Sequence, residues 1–235
     1  MVLKYILIVL FFFISIYINA QPTSHPLKLR AQFNGQFDFT VIGNTFNLAD
    51  NWDPSNPPCQ LATSSNATLN LQNNQTIEAA YLYWSGIGDG TFQPNINLNN
   101  NSISPDELLV VDPEQTEVFF YFGAVTEITQ LVDNTGNGLY AVTNFDLNPL
   151  LNNYCSTGIQ YSGWSIIVVY EDTSLNSRQV NIYDGLVSLF NFSGIDNSTE
   201  NLEISNFEIN NTGNSKLGVC VYNGSPNLFG GESLQ

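Results

Sequence analysis

The sequence predicts an all-β protein, a two-sheet antiparallel β-sandwich that is jelly-roll-like and carries one or two short helices. Short segments that alternate polar and apolar residues, or that are rich in β-branched and aromatic residues, recur along the chain; both patterns are typical of strands. Clusters of Gly, Asn, Asp and Pro separate these segments, as in turns. An immunoglobulin-like sandwich is the alternative, but long strands and irregular loops favour the jelly roll.

Ten segments are strand candidates and two are helix candidates. In residues 125–133, Val125, Ile128 and either Leu131 or Val132 share one face at helical spacing, and residues 147–153 can form a single helical turn. The strand candidates are residues 37–43, 67–71, 77–86, 95–99, 117–125, 138–147, 163–172, 178–186, 201–209 and 216–224.

The segment GWSIIVVYED, residues 163–172, predicts the centre of one sheet. Its residues 166–170 are apolar at consecutive positions, whereas RQVNIYDG alternates. A strand that is apolar on both faces is covered on both sides. Burying each of its Ile and Val side chains contributes about 1.5–3 kcal/mol, which makes this strand a core element first.

Residues 1–20 have the pattern of a secretory signal peptide. Lys4 precedes an unbroken apolar stretch, and the small-residue ending Asn19-Ala20 precedes Gln21. A membrane anchor is the alternative, because the apolar stretch is rather long, but no charged stop-transfer flank follows it. We therefore expect cleavage after Ala20, a secreted or cell-surface location, and no membrane span in the mature chain.

The mature chain is expected to be one domain. Residues 21–34 are interpreted as a flexible N-terminal segment and residues 35–235 as a single β-sandwich. The final GGESLQ reads like an interrupted domain, so the chain is expected to be incomplete at its C-terminus or a fragment of a longer protein.

The charge of the chain excludes two classes of partner. The formal net charge is −16, and it becomes −17 once Lys4 leaves with the signal peptide. Such a surface repels phosphate backbones and anionic lipid headgroups. Nucleic acid and acidic membranes are therefore not expected partners. The sequence does not predict the oligomeric state.

Three cysteines lie in a chain that is expected to reach an oxidising compartment. Cys59 and Cys155 lie in loop-like contexts, NPPCQL and NNYCSTG, whereas Cys220 lies in the apolar LGVCVY. We therefore expect a disulfide between Cys59 and Cys155, with Cys220 as a buried apolar thiol.

The segment YLYWSG contains the candidate ligand-binding residues. Tyr81 and Tyr83 share one strand face, and Trp84 lies on the other. Exposed aromatic rings in a row can support sugar rings, although large aromatic residues also dominate the cores of β-sandwiches. Whether these three rings are exposed or buried separates the two readings.

Asp-rich turns are the candidate metal sites. Asp50 and Asp53 in ADNWDPSN, and Asp133 in DNTGNG, could supply oxygen ligands to Ca²⁺. The same residue types are the usual ones in turns, which is the alternative. We expect no other cofactor.

Catalysis is not expected. His25 is the only histidine, so a Ser or Cys nucleophile lacks its usual base. The enzymatic alternative is a carboxylate-based glycoside hydrolase on a jelly-roll scaffold, which would use two of Glu171, Asp172 and Asp184. Glu171 and Asp172 are adjacent on an extended chain, however, and should therefore point to opposite faces.

Six segments follow one another in a recognisable order. They are IGNT (42–45), TIEAAYLYWSG (76–86), TGNGLY to NFDL (135–147), YC (154–155), YSGWSIIVVYED (161–172) and VNIYDGL (180–186). This order resembles the N-terminal β domain of large secreted cell-surface proteins of Bacteroidetes. Those proteins typically end in a gliding-motility-type sorting domain that type IX secretion reads, and related domains occur in adhesin-like proteins.

The resemblance covers about residues 35–190 and implies an adhesion or recognition role at the cell surface, toward glycans or other surface proteins. It carries no catalytic residue to transfer, and it supports the pairing of Cys59 with Cys155. The chain departs from the family pattern in having no sorting domain, no lysine-rich tail and no repeats. The mode of surface anchoring is therefore left open.

Overall fold

The structure is a computed structural model that describes residues 24–48, 60–89, 91–112, 119–151, 161–187, 190–192, 195–197 and 215–222. Antiparallel strands dominate these residues, and two short helices join them. The strands are β1 (Ser24–Gly35), β2 (Phe37–Thr45), β3 (Ser65–Leu69), β4 (Gln75–Gly88), β5 (Ile96–Leu98), β6 (Asn101–Ile103), β7 (Glu107–Val111), β8 (Phe120–Glu127), β9 (Gly138–Thr143), β10 (Ser162–Asp172), β11 (Arg178–Val187), β12 (Phe190–Phe192) and β13 (Ile195–Asn197). The helices are α1 (Thr129–Thr135) and α2 (Asn148–Leu151).

Two sheets form the sandwich, and the chain crosses between them several times. One sheet has the order β2-β10-β4-β8-β7 and the other the order β3-β9-β5-β6. The two facing sets, β2-β10-β4-β8 and β3-β9-β5-β6, have the strand order of an eight-stranded jelly roll. Strand β7 adds a fifth strand at the edge by pairing with β8. The predicted jelly-roll sandwich is therefore confirmed.

Strand β10 is the central strand that its sequence predicts. It pairs with β2 on one side and with β4 on the other. Trp164, Ile166 and Val168 point into the main core between the sheets, while Val169 belongs to a second apolar cluster on the opposite face. Continuous apolar character is therefore required, because both faces of this strand are covered.

A two-stranded ribbon, β1 with β11, covers the outer face of the five-stranded sheet, meaning the face turned away from the other sheet. Val180 and Ile182 of β11 pack with Ala79 of β4 and Val169 of β10. Residues 24–34 are therefore paired strand, which corrects the expectation of a flexible segment over residues 21–34. Two register shifts, between His25 and Lys28 and between Leu29 and Ala31, interrupt the alternation in this region and leave Leu29 exposed.

The ribbon is a continuation of the β2–β10 pair, folded back at a corner. Gln36 separates β1 from β2, and a turn that begins at Asp172 separates β10 from β11. The side-chain Nε2 of Gln36 donates to the carbonyl oxygens of Thr173 (2.9 Å) and Leu175 (2.8 Å). The backbone N–H of Asp172 donates to the backbone carbonyl oxygen of Gln36 (2.8 Å). These contacts hold the two strands of the corner together.

Both predicted helices are confirmed, with different bounds. Strand β8 extends to Glu127 because Val125 pairs with Tyr83 and with Glu107, so α1 begins only at Thr129.

Within the described part of the chain, no helix is long and apolar enough to cross a membrane.

The predicted strand over residues 216–224 is not confirmed in its described part, residues 215–222. This segment has no strand pairing, although Lys216, Cys220 and Tyr222 contact the sheet while the odd-numbered residues between them do not. Leu217 and Val221 are exposed, whereas Tyr222 is half-buried. Cys220 is also exposed, which corrects its expected burial. The candidate strand over residues 201–209 lies outside the described residues.

Candidate functional site

The two candidate tyrosines lie beneath the ribbon and not on an open surface. Tyr81 and Tyr83 are half-buried on the outer face of β4. The Tyr83 hydroxyl donates a hydrogen bond of 2.9 Å to Asp184 of β11. Burial, the charge of Asp184 and this hydrogen bond raise the pKa of Tyr83 far above its ordinary value. Its ring therefore joins the ribbon to the sheet.

Arg30 extends this contact to two more strands. Its guanidinium on β1 forms ion pairs with Asp184 of the ribbon and with Glu107 of the edge strand β7. Burial alone would lower the pKa of Arg30, but hydrogen bonds to Asp184 and Glu107 outweigh it and raise the pKa above its ordinary value. Four strands, β1, β4, β7 and β11, are thus connected by the side chains of Arg30, Tyr83, Glu107 and Asp184.

Trp84 is a core residue, which removes it from the candidate platform. Its side chain is fully buried between the two sheets, and Nε1 donates to the carbonyl oxygen of Pro94 (2.9 Å). The alternation of a strand places it opposite Tyr83. Trp164 is buried in the same core and donates from Nε1 to the Ser65 hydroxyl (2.6 Å).

The three candidate carboxylates do not meet in a common cleft. Glu171 is exposed and Asp172 is buried, on opposite faces of the end of β10, as predicted. Asp172 accepts hydrogen bonds from Ser174 N–H (3.0 Å) and Oγ (2.6 Å) and from the Asn74 amide (2.9 Å). The Ser174 hydrogen bonds are the main cause of a lowered Asp172 pKa. Asp184 is already paired with Arg30.

The metal and disulfide candidates fall mostly outside the described residues. Asp50, Asp53, Cys59 and Cys155 belong to this part of the chain. Asp133 is exposed on α1. No group of three or more His, Cys, Asp or Glu side chains able to hold a metal ion occurs among the residues that the structure describes.

A hydroxyl cluster lies on another part of the outer face of the five-stranded sheet. Ser85 bonds to Tyr161 (3.1 Å), and Ser165 bonds to Tyr222 (3.1 Å). Burial raises the pKa of both phenols well above the ordinary value. Tyr222 lies over Gly163, where an added Cβ would be 3.3 Å from its ring. Residues 215–222 therefore cover this cluster.

The outer face of the four-stranded sheet is different, because its side chains are exposed or half-buried. We call this surface the open face. Its five polar residues are Asn66 and Thr68 of β3, Asn97 of β5, Ser102 of β6 and Thr143 of β9, and its two apolar residues are Leu139 and Ala141 of β9.

Strand pairing arranges the open face in cross-strand rows. Thr143 pairs with Asn97, and Asn97 pairs with Ser102, which gives one polar row across three strands. Asn66 pairs with Ala141, and Thr68 pairs with Leu139. Within the described part of the chain, the five polar side chains make no hydrogen bond to other protein groups.

The side chain of Asn99 holds β9, one of the two inner strands of the four-stranded sheet. Its Oδ1 accepts from Ala141 N–H (2.8 Å), and its Nδ2 donates to the Leu139 carbonyl oxygen (3.2 Å). The residue has a φ of 47°, a conformation that Asn tolerates better than most residues. The side-chain amide thus takes the place of a neighbouring peptide group and continues the ladder of β9.

Sequence reasoning did not single out the open face. The signal was present in the strand candidates, since NATL and NINL alternate small polar and apolar residues. This alternation shows which side chains face outward, but not which sheet face another element covers.

No family model, curated protein or solved structure matches this chain.

Proposed function

We propose that this chain is an exported recognition or adhesion module of the cell surface that acts by contact and not by catalysis. The signal-like residues 1–20 and the resemblance to the adhesin-like Bacteroidetes domains support export, by a route related to type IX secretion. Its partners are extracellular glycans or other surface proteins.

The observation that carries this proposal is that carboxylates near the strand ends are held by hydrogen bonds and ion pairs within the protein. Asp172 is bound within its own turn, and Asp184 is paired with Arg30 and Tyr83. Asp38 is paired with Arg178 (3.2 Å). Carboxylates held in this way stabilise a scaffold. A glycoside hydrolase needs two that face one cleft, about 5–9.5 Å apart.

Export is tested by expressing the chain in a bacterium and separating the cytoplasm from the other cell fractions and the medium. We expect the mature N-terminus at Gln21 and the protein outside the cytoplasm. A variant without residues 1–20 is the control and should stay in the cytoplasm. Retention of the uncleaved chain in the cytoplasm would contradict export.

The absence of catalysis is tested separately with the purified protein. We expect binding to a panel of glycans or to a cell-surface extract without release of reducing sugar. Sugar release that disappears in Asp172→Asn or Asp184→Asn would instead establish the glycoside hydrolase. Failure to bind any glycan or surface extract, with folding confirmed by circular dichroism, would contradict the recognition role.

A further inference from the structure

We infer that the open face of the four-stranded sheet is a binding surface for a neutral glycan. This inference rests on the proposed recognition function and adds to it the site and the chemical class of the ligand. It also moves the site away from Tyr81, Tyr83 and Trp84, to the opposite side of the sandwich.

Coverage distinguishes the two outer faces. On the five-stranded sheet, Val180 and Ile182 of the ribbon cover the apolar half, and Tyr222 covers the hydroxyl cluster. On the four-stranded sheet, Asn66, Thr68 and Ser102 are exposed. Leu139, near the start of β9, is 57% exposed. A large ligand can therefore reach the open face without displacing a described element.

Charge complementarity selects a neutral ligand. The chain has a net charge of −16, yet none of the seven residues of the open face is charged. An anionic ligand is repelled by the protein as a whole. A cationic ligand is attracted by the net charge, but the acidic residues that would bind it lie elsewhere and not on this face. A neutral ligand is neither repelled from this face nor drawn to the acidic residues.

Hydrogen-bonding chemistry selects a ligand rich in hydroxyl groups. The row of Thr143, Asn97 and Ser102 offers two hydroxyls and one amide, each able to donate and to accept. Neighbouring strands lie about 4.8 Å apart, so this row is about 10 Å long and can contact more than one sugar ring. Leu139 adds an apolar surface against which the C–H groups of a sugar can pack.

A protein partner is the competing occupant, and the composition of the face argues against it. The buried centre of a protein interface is typically rich in aromatic and apolar residues. The open face has no aromatic residue, and Leu139 is its only large apolar side chain. This face can form hydrogen bonds mainly through small polar side chains that have no hydrogen-bond partner among the described residues. The hydroxyl groups of a glycan match these side chains better than the apolar centre of a protein interface does.

The test uses the full-length chain and an array of neutral and anionic oligosaccharides, followed by titration with the best neutral oligosaccharide. The variants Thr143→Val and Asn97→Leu remove polar groups at nearly constant size. We expect each to weaken binding several-fold and the double variant to weaken it by about tenfold or more. Thr76→Val, at an exposed position of β4 in the other sheet, is the matched control and should bind normally.

The outcomes separate this inference from the proposed function. Binding to neutral glycans that the open-face variants weaken, at an unchanged melting temperature, supports both. Neutral-glycan binding that survives in the double variant overturns the site but leaves the recognition role intact. Binding only to anionic glycans, or only to a protease-sensitive component of the cell surface, overturns the ligand class. If the folded chain binds nothing in either assay, both the inference and the proposed function fail.

Discussion

The Tyr83 hydroxyl and the Asp184 carboxylate, 101 residues apart in the sequence, are joined by a hydrogen bond of 2.9 Å. This contact connects the β1–β11 ribbon to the outer face of the five-stranded sheet. It also explains why a row of tyrosines is not an open platform in this β-sandwich. The aromatic rings are used to hold a covering layer in place.

Replacing Tyr83 with Phe should destabilise the protein without changing its core. Because the acceptor is a charged carboxylate, we expect the free energy of unfolding to fall by about 1.5–3 kcal/mol, measured by urea denaturation. Tyr81→Phe is the matched control, since no hydrogen bond of the Tyr81 hydroxyl is found within the described residues, and it should change stability by less than about 0.5 kcal/mol. Equal effects of the two variants would contradict this role of Asp184.

Trp84→Ala should be among the most damaging substitutions in the chain. Its side chain is fully buried, so truncation leaves a large cavity and is expected to cost about 3–5 kcal/mol of unfolding free energy. The orphaned Pro94 carbonyl adds to this cost. A folded Trp84→Ala protein of normal stability that fails only in ligand binding would restore Trp84 to the candidate site.

Acid should weaken the corner at Asp172. Its pKa is lowered in the folded state, chiefly by hydrogen bonds from Ser174, so the unfolded chain takes up protons first as the pH falls. The stabilisation is complete above the unfolded value of about 3.9 and is lost as the pH falls through the lower folded value. Asp172→Asn should therefore be less stable at neutral pH and less sensitive to acid, as measured by denaturation across pH.

The exposed neighbour provides the control for this prediction. Glu171→Gln removes an adjacent carboxylate that faces solvent. It should leave the acid dependence close to that of the unchanged protein. If both variants shift the acid profile alike, the net charge of the chain and not the Asp172 turn governs acid stability.

Asn148→Ala should show how side-chain amides replace backbone pairing. Asn148 accepts from Leu61 N–H (2.8 Å) and donates to the Leu61 carbonyl oxygen (3.0 Å). Losing both partners of a half-buried peptide group should cost about 1–3 kcal/mol in thermal or urea unfolding. Asn66→Ala, whose side chain makes no hydrogen bond within the described residues, should cost less than about 0.5 kcal/mol.

Removing β1 should expose the second apolar cluster. A chain without residues 1–35 loses the partner of β11, and Val169 and Val180 lose part of their cover. We expect stronger binding of a hydrophobic dye and a lower melting temperature than in a chain that begins at Gln21. If the shortened chain melts at the same temperature, residues 24–35 do not stabilise the sandwich.

The local pattern of the chain was sufficient for most strands of the sandwich and for the central position of β10, but it did not predict β6 or β7. Both follow from burial of consecutive side chains: Ile166 and Val168 on one face and Val169 on the other are buried in the structure. The helix over residues 129–135 was also found, although its start was placed four residues early. Strand pairing of Val125 with Tyr83 overrides the helical spacing there.

The covering of each sheet face was decided only by the tertiary structure. Alternation alone cannot tell whether Tyr83 or Asn97 meets solvent, because that depends on where a distant strand such as β11 lies. Packing of Val180 and Ile182 places β11 over the tyrosines, whereas no described element covers the outer face of the four-stranded sheet. Hydrophobic periodicity is a property of neighbouring residues, whereas access to a site is a property of contacts between residues far apart in the chain.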